Sequence, residues 1–240
     1  MTPTISSPRN ERIKAVRRLQ RSKERRATGQ TLLEGPHLVE AAIGGGVVPE
    51  VVFVAEGESL PPVDAEVITV SPQVLDAIAP TETPQGPIAV IAIPDPAPLQ
   101  ARNTLVLWDV GTPGSVGTLI RSAAAFGWDV ATHRGADPWS PKVLRSGAGA
   151  HFAVPISRVE ELVELSDAGL KAVATVPIGG VSPDRLESDG PFALLVGNEA
   201  AGLPADVVAA TEASISIPML GLESLNAAVA GSIALYALSQ

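Results

Sequence analysis

Two short apolar runs in the last quarter of the chain constrain its fold more than any other feature. Phe192-Ala193-Leu194-Leu195-Val196 and Ile215-Ser216-Ile217 are short enough to be central strands of a parallel sheet, and each is followed by helix-start chemistry. The first runs into Gly197-Asn198-Glu199-Ala200-Ala201-Gly202-Leu203, the second into Pro218-Met219-Leu220-Gly221-Leu222-Glu223-Ser224-Leu225-Asn226. Ligand sites in open α/β sheets lie at such carboxyl ends. A connecting loop needs glycine and proline to turn, but it has no need of Glu199, Ser224 and Asn226 at matching strand ends. That excess polarity is the functional signal.

The surrounding pattern alternates. Strands are expected near 104–110, 129–133, 171–175, 192–197 and 214–218, and helices near 116–126, 141–148, 159–167, 204–212 and 224–238. Alternation of this kind argues for a parallel sheet covered on both faces. The last helix is almost wholly Ala, Val, Leu, Ile and Gly, so it has to be buried on more than one side, and a second subunit would satisfy it. Upstream, Ile93-Pro94-Asp95-Pro96-Ala97-Pro98 reads as a stiff, extended connection. It divides 1–93, a small α/β domain, from 104–240, with 94–103 as the linker. In the first part a helix is expected near 8–27, strands near 30–35, 50–55, 66–70 and 87–92, and helices near 36–43 and 72–79. Ser71-Pro72 is the clearest helix start.

Charge is divided unevenly. The net charge is −9, yet residues 9–26 hold nine of the seventeen basic residues against two acidic ones, so that segment carries +7 and the rest −16. Arg9, Arg12, Arg17, Arg18 and Arg21 belong to it. A positive stripe on an otherwise acidic protein localises a polyanion at one face. A solvated helix face is the plain alternative, but Ile13, Val16 and Leu19 recur at helical spacing, which favours an ordered helix with one apolar side. Lys142 and Arg145 share a face after Ser140-Pro141, where phosphate binding and a solvated face are equal readings.

Composition removes several classes. The absence of cysteine excludes a disulfide scaffold and a thiolate metal site, and the three histidines, His37, His133 and His151, argue against a multi-histidine centre, so no metal is expected. No apolar stretch reaches the ~18 residues of a membrane span, and no apolar run follows the charged N-terminus. A soluble, cytoplasmic protein without a membrane partner is expected. The turn Gly111-Thr112-Pro113-Gly114-Ser115-Val116-Gly117 is neither a dinucleotide fingerprint nor a P-loop, which disfavours a dehydrogenase.

Thr112-Pro113-Gly114-Ser115-Val116-Gly117-Thr118-Leu119-Ile120-Arg121, with the two C-terminal segments, resembles in order and spacing the three signature motifs of the SpoU/TrmH family of RNA ribose 2′-O-methyltransferases. The likeness covers about 104–240. A weaker one over 8–93 matches the ribosomal-protein-like RNA-binding domain found before the catalytic domain in many members. The resemblance implies a parallel-sheet SPOUT domain tied in a deep trefoil knot, a homodimer, and S-adenosyl-L-methionine as cofactor. It further implies catalytic roles for Arg121, Glu199, Ser224, Asn226 and Ser115, and a cofactor site formed by Leu195, Val196, Gly197, Ile217, Met219, Ser224 and Leu225. RNA would be bound by the basic residues named above, with ribosomal RNA preferred over transfer RNA.

The family has asparagine at the position of Ser115. Serine matches asparagine as a helix cap but lacks its amide donor. A catalytically silent RNA-binding or ribosome-assembly factor of the same fold is therefore the competing reading, against which stands the retention of Arg121, Glu199, Ser224 and Asn226.

Overall fold

The computed structural model describes residues 4–58, 60, 62–222 and 224–240. The chain forms two compact units, one holding residues up to Asp95 together with Trp139–Ala153, the other Pro96–Pro138 with Val154–Gln240.

The first unit opens with α1 (Glu11–Arg18) and α2 (Ser22–Thr28). The sequence predicts one helix over 8–27; the structure breaks it at 19–21. Asn10 caps α1 by accepting the N–H of Arg12 at 2.9 Å, and Ile13, Val16 and Leu19 face the core. The break is held from inside: the Arg25 guanidinium, 3% exposed, donates to the carbonyls of Leu19 and Gln20 at 3.1 Å each. Arg25 thus leaves the basic stripe and serves the core.

Next come β1 (Gln30–Glu34), α3 (Pro36–Gly44), β2 (Val51–Ala55), β3 (Glu66–Val70), α4 (Pro72–Ile78) and β4 (Ile88–Ala92). They form a mixed sheet of order β1-β4-β2-β3, parallel only between β2 and β3. Successive side chains point to opposite faces. Leu32, Phe53 and Ile88 therefore join Ile13, Val16 and Ile78 on one side, while Leu33, Val52 and Ala89 join Leu38 and Val39 on the other.

The second unit begins with β5 (Thr104–Trp108), α5 (Pro113–Phe126) and β6 (Asp129–His133). The following helix, α6 (Pro141–Ser146), is part of the first unit, where Leu144 packs with Leu33, Val39 and Ile91 and the Thr31 hydroxyl donates to the Trp139 carbonyl at 2.7 Å. The chain continues through β7 (Ile156–Arg158), α7 (Val163–Asp167), β8 (Lys171–Thr175), β9 (Phe192–Val196), α8 (Ala205–Ala209), β10 (Ala213–Ile215) and α9 (Ala227–Leu238). The six strands are parallel throughout, in the order β10-β8-β9-β5-β6-β7. β7 was not expected, because three residues give no periodicity to read.

Two helix starts differ from the sequence reading. Thr112 and Pro113 begin α5 three residues earlier than expected, so Ser115 lies within the helix and is buried instead of capping it. On α9 the cap is Asn226, whose side chain accepts from the N–H groups of Ala228 at 2.9 Å and Val229 at 3.2 Å; Ser224 lies before the helix. α9 packs on α5 through Gly231, where a Cβ would stand 2.5 Å from Leu119. Its opposite face, Val229, Ile233 and Tyr236, is exposed in the single chain. Among the described residues no helix is long and apolar enough to cross a membrane.

Candidate active site

Three adjacent strands, β10, β8 and β9, deliver their carboxyl ends to one cavity of about 310 Å³. Thr175, Val176 and Pro177 enter it from β8, Val196 to Leu203 from β9, and Ile215, Ile217 and Met219 from β10. Ser224 and Leu225 follow, and α9 closes one side with Ala227, Ala230 and Ala234. The volume falls within the usual range of small-molecule sites, roughly 300–1,000 Å³. Apolar walls with a few polar groups suit an adenosyl ligand, whose ring needs apolar surface and whose hydroxyl and amino groups need acceptors.

The loop after β9 is fixed before any ligand arrives. The Asn198 side-chain oxygen accepts from the N–H groups of Ala200 at 3.0 Å and Ala201 at 3.1 Å, and its amide donates to the Asp109 carbonyl at 3.0 Å. Asn198 and Gly202 exchange backbone hydrogen bonds, with Gly202 at φ +67°. Gly197 lies so close to this turn that a Cβ there would stand 2.4 Å from the Gly202 carbonyl carbon and 2.5 Å from the Leu203 nitrogen. Only glycine fits.

Glu199 reaches away from the cavity floor to the start of α5, where its carboxylate accepts the N–H of Gly111 and of Thr112 at 3.0 Å each. Burial works to raise its pKa, but hydrogen bonds from its own N–H, from Gly111 and from Thr112 together hold it below its ordinary value of 4.5. The resemblance implies for Glu199 either the holding of Arg121 or the shaping of the methyl-donor site; its bonds are to backbone at the start of α5, and it lines the cavity. Arg121, on the third turn of α5, is exposed and has no carboxylate partner among the described residues.

Of the residues singled out from the sequence, Val196, Gly197, Glu199, Ile217, Met219, Ser224 and Leu225 meet at the cavity. Leu195 is wholly buried in the sheet core, its carbonyl accepting from the Thr175 hydroxyl at 2.8 Å. Asn226, Ser115 and Arg121 lie outside the cavity lining, on the two helices that start beside it. Sequence reasoning missed Thr175 to Pro177, Asn198 and the small residues of α9. The signal for Asn198 was present, an asparagine between glycine and glutamate at a strand end; β8 ends without unusual polarity. His133 is buried, stacked on Trp108 at 3.9 Å between ring centroids with Nδ1 3.0 Å from the Val159 carbonyl, and so packs.

Fold and cavity define an α/β enzyme with a small-molecule site at the carboxyl ends of its parallel strands. Residues 102–236 match the model of the SpoU rRNA methylase family, and residues 10–89 that of the MRM3-like substrate binding domain. A 23S rRNA (guanosine(2553)-2′-O)-methyltransferase, RlmP, of Bacillus subtilis is 36% identical over 97% of both chains. Among solved structures, the SpoU methyltransferase AviRb from Streptomyces viridochromogenes, in complex with the cofactor AdoMet, aligns with a TM-score of 0.87 at 27% identity, covering 96% of this chain and 97% of that one. An AdoMet-bound rRNA methyltransferase from Sinorhizobium meliloti aligns with a TM-score of 0.88 at 28% identity over 99% and 97%. The chain belongs to the SpoU rRNA methylase family.

Proposed function

We propose that the protein transfers a methyl group from S-adenosylmethionine to a ribose 2′-hydroxyl of large-subunit ribosomal RNA. The cavity at the ends of β8, β9 and β10 carries this reading, because it is preformed, apolar-walled and lined by the two C-terminal segments that bear family motifs. The 23S rRNA named for the Bacillus subtilis relative, similar over nearly the whole chain, supports the substrate class.

Bound in the cavity, S-adenosylmethionine supplies an electrophilic methyl on a sulfonium. Transfer of that methyl to the ribose oxygen would leave the neutral thioether of the cofactor, and the hydroxyl proton would pass to solvent water. Val196, Ile217, Met219 and Leu225 exclude water from the apolar parts of the ligand, and Ser224 and Thr175 offer hydroxyls. Arg121 orients the ribose hydroxyl and an adjacent phosphate, and its charge stabilises the developing alkoxide; a guanidinium does not deprotonate readily enough to be the base. Asn226 sets the start of α9, and Ser115 packs within the first turn of α5, the helix that carries Arg121. The basic residues of α1 and the α1–α2 turn bind RNA, with Lys142 and Arg145. Along the sequence the substrate-binding part spans 1–93, the linker 94–103 and the methyltransferase part 104–240, except that Trp139–Ala153 packs with the first unit. With ribosomal RNA as substrate, the reaction runs in the cytoplasm.

The strand order supports the deep knot that the family resemblance implies. β8 and β9 are neighbours, yet the connection between them travels to the far side of β10: Val181 bridges Ile215, its N–H donates to the Ser214 carbonyl and its own carbonyl accepts from Ser216, each at 2.9 Å. β10 is thus flanked by β8 on one side and by the β8–β9 connection on the other. In a knotted chain the segment after β10 would pass through that loop before forming α9.

The test is transfer of labelled methyl to an unmodified 23S transcript. Arg121→Ala is expected to lower kcat by about a hundredfold or more, with S-adenosylmethionine affinity within a few fold, since Arg121 does not line the cavity. A fully active variant would remove Arg121 from the mechanism.

A further inference from the structure

The first unit holds a second cleft, of about 450 Å³, with Pro80, Thr81, Glu82 and Thr83 on one wall and Pro141, Lys142 and Arg145 on the other. We infer that one RNA strand runs along a single phosphate track, from the α1–α2 turn across the 80–83 loop into this cleft. The inference rests on the RNA-binding reading of this unit and goes beyond it, because it joins two basic groups more than a hundred residues apart into one surface.

Three observations make the surface continuous. The Gln20 amide, in the α1–α2 turn, donates to the carbonyls of Ile78 at 3.1 Å and Ala79 at 2.7 Å, pinning the turn against the residues that lead into the loop. The loop itself is held: the Thr81 hydroxyl donates to Glu34 and to the Thr83 carbonyl at 3.2 Å, and the Gln85 N–H donates to Glu34 at 3.1 Å. Across the cleft α6 is anchored to β1 by buried Leu144, which leaves Lys142 and Arg145 exposed on its outer face. Arg17, Arg18 and Arg21 therefore lie at one end of a rigid strip, and Lys142 and Arg145 at the other.

The charges at both ends are uncommitted. Arg12 is paired with Glu66 and Lys14 with Glu11, and Arg18 also acts electrostatically on Glu11, while Arg17, Arg21, Lys142 and Arg145 have no carboxylate partner among the described residues. Cations held on a fixed scaffold with no internal counter-ion suit a regularly spaced polyanion. Exposed Glu82 is the one carboxylate among the described residues lining the cleft. It opposes a passing phosphate, so its removal has the opposite sign to removal of the cations.

The test uses the full chain and an unmodified 23S ribosomal RNA transcript. Arg17→Ala with Arg21→Ala, and separately Lys142→Ala with Arg145→Ala, are each expected to weaken binding and to reduce the slope of log K against log salt by about one to two, at ~0.7–0.9 for each phosphate no longer neutralised. Glu82→Gln is expected to tighten binding roughly twofold or more, a gain that misfolding cannot produce. The chain has no cysteine, so a photo-cross-linker on Arg21→Cys and one on Thr83→Cys can each be placed without ambiguity. Cross-links from both to one short stretch of RNA are expected. A normal slope for the Lys142 and Arg145 pair, no gain from Glu82→Gln, or cross-links in separate RNA segments would overturn the track while leaving RNA binding by α1 standing. No binding of the transcript by the unaltered protein would sink the RNA-binding reading itself.

Discussion

Glu199 and Thr112, 87 residues apart, are joined by a carboxylate that accepts the Thr112 N–H at 3.0 Å. The same carboxylate takes the N–H of Gly111. The first N–H groups of a helix have no partner within it, and a negative charge there is favoured by the helix dipole. One side chain therefore locks the cavity loop after β9 to the start of the helix that carries Arg121. Cavity loop and arginine helix are joined through these two bonds.

This clamp is sensitive to acid. The folded-state pKa of Glu199 lies below its ordinary value of 4.5, so its stabilising contribution is fully present above that value and is lost as the pH falls through the lower, folded value. The thermal midpoint of the unaltered protein should drop on acidification below pH 4.5 more steeply than that of Glu199→Gln, which has no charge to lose. Parallel curves from the two proteins would show that the clamp carries no linkage.

Gly197→Ala tests whether the loop is preformed. The added Cβ meets backbone atoms of Gly202 and Leu203 at 2.4 and 2.5 Å, which cannot swing aside as a side-chain tip can. S-adenosylmethionine affinity should fall at least tenfold by calorimetry. Gly44→Ala is the control: that helical glycine has open space around it, and the exchange should be neutral or stabilise by about 0.5–1 kcal/mol. Unchanged affinity in Gly197→Ala would mean that the loop rearranges freely.

How much of this was visible beforehand follows from which interactions are local. The strands β8, β9 and β10 and the proline-led starts of α4 and α6 were legible, because period, turn residues and caps act within a few positions. The polar excess of Glu199 was legible as well, but its partners were not, since nothing in a sequence says which backbone N–H will be orphaned nearby in space. The Ser224 and Asn226 pair shows the same limit: both are good caps, and only the position of the first helical turn decides that Asn226 performs the capping. Arg25 looked like its neighbours in the charge run. What distinguishes it is a kink between α1 and α2 that exposes two carbonyls to it.

Arg25→Ala should accordingly behave as a core mutation. Removing the buried donor leaves the carbonyls of Leu19 and Gln20 without that partner, a loss of about 1–3 kcal/mol. The expected result is a lower thermal midpoint with an unchanged salt slope for RNA binding, opposite to the Arg17 and Arg21 variants. A lower slope with normal stability would return Arg25 to the RNA-binding stripe.

The outer face of α9 carries the last prediction. Val229, Ile233 and Tyr236 are 47%, 42% and 56% exposed at i, i+4 and i+7, an apolar stripe only partly covered in the single chain, where the Tyr236 ring meets Phe126 at 5.9 Å between centroids. Its other face is fully used, with Gly231 against Leu119 and Ser232 bonded to Ser122 of α5 at 2.8 Å. The stripe cannot turn inward without giving up that packing, and a second copy of the chain covers it most simply, two α9 helices meeting about a twofold axis. Ile233→Glu places a charge in the middle of such a contact, at a position 42% exposed in the single chain. Sedimentation should show the unaltered protein as a dimer and the variant as a monomer, with methyl transfer lost and binding to the 23S transcript retained, since α1 and α6 belong to the other unit. A monomeric unaltered protein that transfers methyl would refute the dimer and leave the α9 stripe without a function.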